Sequence, residues 1–97
     1  MAAYVVVDIK VTDALKFQDY RALAQIAVTK FGGRYLVRGG KSETLEGDWQ
    51  PERLVVVEFP SLEVARQFYD SPEYVAARKA RAGAADFDML VIEGYAA

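Results

Sequence analysis

The sequence predicts an α+β fold of order βαββαβ, with four antiparallel strands in one sheet and the helices on one face. Three observations predict it. Residues 3–11 are rich in β-branched strand formers, and their odd positions Ala3, Val5, Val7, Ile9 and Val11 are all apolar. From residue 14 the apolar period changes to that of a helix, through Phe17, Tyr20, Ala24, Ala27, Val28 and Phe31. A short strand then leads into a second strand–helix–strand succession with no linker and no repeat. This is the ferredoxin-like split pattern, and it places residues 1–97 in a single domain.

The first helix is expected from about Ala14 to Phe31, capped by Thr12 or Asp13 and stopped by Gly32. The second strand spans Arg34–Arg38, and a polar loop with Gly39, Gly40, Gly47 and Asp48 follows it. The third strand spans Arg53–Phe59 and is ended by Pro60 and Ser61. Ser61 caps a helix that buries Leu62, Ala65, Phe68 and Tyr69. Ser71-Pro72 restarts that helix with a new cap and a proline at its first position, and Gly83 lies near its end. The fourth strand spans Phe87–Glu93 and is closed by Gly94. Strand alternation leaves Val6, Leu36, Leu54 and Val56 on the face with no helix. An apolar sheet face without cover finds a partner, and two such faces together make a dimeric α+β barrel.

Composition supports the homodimer and removes several chemistries. A chain of 97 residues has a thin core of its own, yet 53% of its residues are hydrophobic. There is no Cys and no His, so disulfides, thiolate nucleophiles, imidazole catalysis and zinc or haem sites built on those ligands are excluded. No cofactor and no metal are expected. Twelve basic and fourteen acidic residues are mixed along the chain for a net charge of −2, which does not suit nucleic acid as a partner. With no signal-peptide pattern after Met1 and no apolar run of membrane-spanning length, the expectation is a soluble cytoplasmic protein that does not engage a membrane.

The decapeptide Phe31-Gly32-Gly33-Arg34-Tyr35-Leu36-Val37-Arg38-Gly39-Gly40 carries the sharpest candidate site. Unbroken alternation puts Arg34 and Arg38 on one face of the sheet. There they either grip a carboxylate or phosphate as ligand-binding residues, or pair internally with Asp8 and Glu58 on the same face. The glycine-rich turn is no nucleotide fingerprint, because it leads into a strand. Tyr20 and Glu58 are the candidate catalytic residues for moving a proton, with Tyr35, Tyr69 and Tyr74 as further phenols and Glu93 as a second carboxylate. Tyr20 lies on the apolar stripe of the helix, where aromatic residues mostly serve packing. Arg78 and Arg81 share a helix face and either line a pocket mouth or stand in solvent at a helix C-terminus. Trp49 caps either a cleft or the dimer edge.

With Leu45-Glu46-Gly47, Val57-Glu58-Phe59-Pro60-Ser61, Ser71-Pro72-Glu73-Tyr74 and Val91-Ile92-Glu93-Gly94, the decapeptide makes the chain resemble domain-of-unknown-function family 1330 of the dimeric α+β barrel superfamily. The resemblance covers nearly the whole chain. It implies the fold and a homodimer, and it transfers no activity or catalytic residue. The wider superfamily includes cofactor-independent monooxygenases, lactone isomerases, stress-response proteins and haem-degrading enzymes. The last use a histidine ligand that this chain lacks. Three functions stand open: a cofactor-independent enzyme acting on a small organic acid, a non-catalytic small-molecule-binding or stress-response module, and a structural homodimer.

Overall fold

The computed structural model describes residues 1–96; Ala97, the end of the expected domain, lies outside the described residues. The order is β1 (Ala3–Val11), α1 (Ala14–Lys30), β2 (Arg34–Arg38), β3 (Leu54–Phe59), α2 (Leu62–Asp70), α3 (Pro72–Ala80) and β4 (Ala85–Glu93). The four strands form one antiparallel sheet in the order β2-β3-β1-β4. The fold is ferredoxin-like, with the second helix divided at Ser71.

Local chemistry explains the elements. The Asp13 carboxylate accepts from the Lys16 amide at 3.1 Å, so aspartate rather than Thr12 starts α1. Gly32, at φ +72°, ends it in the left-handed conformation. Gly33 meets a different demand. A Cβ there would come within 2.7 Å of the Phe59 ring and 2.9 Å of Val28, so only glycine lets the chain pass beneath α1 into β2. Ser61 caps α2 through the Val64 amide. Ser71 ends α2 and starts α3: its hydroxyl donates to the Phe68 carbonyl at 2.7 Å and accepts from the Tyr74 amide at 3.1 Å. β4 begins two residues earlier than its apolar run, because Val11 of the long first strand still pairs with Ala85.

The odd residues of β1 and β3 face the helices. Val5, Val7, Ile9, Val55, Val57 and Phe59 pack there with Phe17, Tyr20 and Val28 of α1 and with Phe68 and Tyr74 of α2 and α3. The opposite face carries Tyr4, Val6, Leu54 and Val56, continued on β4 by Leu90 and Ile92, which are 57% and 56% exposed. Part of the loop after β2 reaches this face, where the Trp49 indole donates to Asp8 at 3.1 Å and the Thr44 hydroxyl holds the Trp49 carbonyl.

One expectation about the sheet fails. Arg34 pairs with Glu58 and Tyr35 with Val57, but Val37 pairs with Val56 and Arg38 with Val55. Leu36 is therefore the extra residue of a β-bulge, which shifts the alternation by one. Arg34 stays on the helix-free face, whereas Arg38 turns to the helix side. The two arginines do not share a face.

Candidate functional site

The bulge carries Arg38 to the mouth of a cavity of about 40 Å³ between the sheet and the helices. Its walls include Val5, Val57, Phe17, Phe68 and Met89, with the tyrosines 20, 35 and 74. Three guanidinium groups also line it: Arg21 from α1, Arg38 from the end of β2, and Arg53 from the approach to β3. Arg38 lies 4.3 Å from the centroid of the Tyr35 ring, and its Nη1 donates to Gln25 Oε1 at 3.1 Å. Arg53 rests against Gly39, where a Cβ would stand 3.0 Å from its Cζ. Gly39 thus serves both the turn, at φ +73°, and the close seat of the guanidinium.

Among the described residues no carboxylate lines this cavity. Among the described residues the ion pairs are Lys30–Glu73 and Arg34–Glu58, and neither engages Arg21, Arg38 or Arg53. Burial, reinforced by the charges of Arg21 and Arg38, lowers the pKa of Arg53. A cluster of like charges with no internal counter-ion is unfavourable by itself and becomes favourable when an anion completes it.

Deeper in, the Tyr20 and Tyr74 hydroxyls lie 2.8 Å apart and buried. The Tyr74 hydroxyl also lies 3.8 Å from Met89 Sδ, so Tyr20 donating to Tyr74 and Tyr74 to sulfur is one consistent arrangement. Burial raises both phenol pKa values. For Tyr20 the neighbouring Tyr74 raises it further, while for Tyr74 the hydrogen bond from Tyr20 and the Arg81 charge partly oppose the rise. Neither phenol is a base near neutral pH; both are hydrogen-bond donors. Arg81 covers this cluster from outside, its Cζ 3.6 Å from the centroid of Phe87 and 5.7 Å from that of Tyr20. Arg78 stacks on Tyr69 at 4.2 Å.

The structure therefore brings together Arg38, Tyr20, Tyr35 and Tyr74, and sets the other candidates apart. Glu58 and Arg34 pair with each other at 2.8 Å on the opposite face of the sheet from Tyr20. Asp8 bonds Trp49 rather than an arginine. Glu93 lies exposed at the end of β4. Sequence reasoning missed Arg21 and Arg53 as site residues. No spacing links them, since one is on a helix and the other ends a loop 32 residues later. Among the described residues no group of carboxylates is arranged to hold a metal ion.

The profile of the family described as domain of unknown function (DUF1330) matches residues 2–95. The chain belongs to the DUF1330 family. No curated protein matches it. The fold of this family member is similar to that of a protein of unknown function from Rhodopseudomonas palustris, with a TM-score of 0.77 at 17% identity, covering 99% of this chain and 84% of that one. It is similar to a dimeric ferredoxin-like protein of unknown function from Jannaschia sp. CCS1, with a TM-score of 0.69 at 9% identity over 97% and 100% of the two chains. It is also similar to SnoaB, a cofactor-independent oxygenase from Streptomyces nogalater, with a TM-score of 0.67 at 13% identity over 99% and 95%. At these identities the likeness concerns the fold. No helix among the described residues is long and apolar enough to cross a membrane.

Proposed function

We propose that this DUF1330 protein binds a small organic acid in the cavity between sheet and helices, and that it does so as a homodimer. The acid group sits against Arg38 with Arg21 and Arg53, and the body of the ligand faces the tyrosines. The observation that carries this reading is the convergence of three arginines from three separate segments on one apolar cavity with no carboxylate in its lining among the described residues. The dimer is supported by the apolar face without helices and by the dimeric ferredoxin-like protein that shares the fold. Arg34, held by Glu58 on that other face, takes no part in the acid site.

The test is titration of short carboxylic acids into wild type, Arg38→Ala and Arg53→Ala, with a melting curve on each. Loss of one charge-assisted contact is expected to weaken binding about tenfold or more. The melting temperature should hold or rise, since repulsion among the arginines is relieved. Equal binding by wild type and both variants would overturn the proposal.

A second reading is a cofactor-independent enzyme acting on the same acid. It is favoured by the buried Tyr20–Tyr74 pair, which places two phenols in the lining of the same cavity. Glu58 has no part in it, being on the wrong face. Conversion of the bound acid followed by NMR, abolished in Tyr20→Phe with binding retained, is the outcome expected of an enzyme.

A further inference from the structure

A second, larger cleft of about 220 Å³ lies between α2 and the edge strand β4. Its lining is largely apolar, with Ala65 and Tyr69 from α2 and Val91 from β4, and with Arg66 and Asp70 from α2. It has two lining residues in common with the arginine-lined cavity, Val5 and Met89. The two spaces are therefore neighbours across one layer of side chains. Val5 is a rigid β-branched residue in a central strand. Met89 is half-buried on an edge strand, packs against the core from its margin, and takes one weak contact from the Tyr74 hydroxyl at 3.8 Å. An unbranched thioether with three rotatable bonds is the side chain most able to swing aside in a core.

The dimensions constrain what passes there. A cavity of about 40 Å³ has room for a narrow chain rather than for a ring system. Arg38 on β2 and Met89 on β4 are separated by three strand spacings of about 4.8 Å each. That distance is longer than a butyrate, octanoate or decanoate chain alone; the long side chain of Arg38 together with an octanoate or decanoate chain spans it, and with butyrate it does not.

We propose that the acid held by the arginines carries an unbranched apolar chain, and that this chain passes Met89 into the cleft between α2 and β4. The inference rests on the acid-binding reading above and adds the class of ligand, a medium-chain carboxylate. Met89 sets the length of chain that is accepted, and the α2–β4 cleft supplies most of the apolar surface that the chain buries.

Calorimetric titration of butyrate, octanoate and decanoate, each below its micellar concentration, tests it on the wild-type protein and on Val91→Phe and Ala65→Leu. Val91 is half-buried, so its variant is the less demanding on folding, and Ala65→Leu fills the cleft from the opposite wall. In wild type the affinity should rise about fourfold for each methylene added between butyrate and octanoate. In either folded variant octanoate and decanoate should fall to the affinity of butyrate, and butyrate itself should be unchanged. A series that is flat in wild type, or a rise that survives both variants, would overturn the chain while butyrate binding keeps the arginine site. If no acid binds, butyrate included, the arginine site falls and the chain with it.

Discussion

The Tyr20–Tyr74 hydrogen bond is where a single atom decides most. Both side chains are buried, and each hydroxyl has the other as a partner at 2.8 Å. Tyr74→Phe leaves the Tyr20 hydroxyl with less to bond to in an apolar place, and the expected loss is about 1–3 kcal/mol by urea denaturation. The double change Tyr20→Phe with Tyr74→Phe should recover part of that loss, because neither hydroxyl is then left behind. A double variant as unstable as the sum of the singles would show that packing, not the hydrogen bond, sets the cost. The same pair makes stability depend on alkali. Folding raises both phenol pKa values above the unfolded value of about 10. In that range the unfolded chain loses protons first, so stability is full below about pH 10 and falls as pH rises beyond it, by about 1.4 kcal/mol per pH unit per phenol. Tyr20→Phe should flatten this decline; a decline parallel to that of wild type would refute the assignment.

At the scale of an element, β2 is the informative piece. Its five residues contain one more than the ladder with β3 uses, and the surplus residue is Leu36. Removing Leu36 leaves Arg34, Tyr35, Val37 and Arg38 opposite the same partners, with alternation regular. The deletion should therefore fold, with a melting temperature changed by no more than about 4–8 °C, the equivalent of roughly 1 kcal/mol in a domain of this size. Acid binding through Arg38 should persist. Deleting Val56, which has no surplus, moves the strand's remaining core residues to the wrong face and should abolish folding. A Leu36 deletion that unfolds the protein, read by circular dichroism, would mean that the bulge is needed for the strand itself rather than only for its register.

At the scale of the molecule, the two faces of the sheet differ in what covers them. The helix face encloses the cavity, and the other face keeps Val6, Leu54, Val56, Leu90 and Ile92 without cover by a helix. A homodimer through that face should bury on the order of 2,000 Å² or more. Val56→Asp sets a carboxylate in its middle, between Val6 and Val37. Light scattering should find wild type as a dimer and this variant as a monomer. A folded wild-type monomer at micromolar concentration would end the dimer proposal.

The sequence by itself determined the order of elements, their approximate ends and the face presented by the apolar stripes of β1, β3 and α1. Those follow from interactions within a few residues: the period of the side chains, the caps at Asp13, Ser61 and Ser71, and the stop at Gly32. It also supplied the motifs by which the family is recognised. Only the tertiary structure decided which face Arg38 occupies, because Leu36 becomes a bulge only when β3 offers fewer partners than β2 has residues. Only the packed molecule joined Arg21 and Arg53 to that site and took Glu58 away from Tyr20. The period of a strand states which residues face together while pairing is regular. Where pairing slips, and where three distant segments converge on one cavity, the answer lies in the register of the sheet and the docking of the helices, which no local stretch of sequence contains.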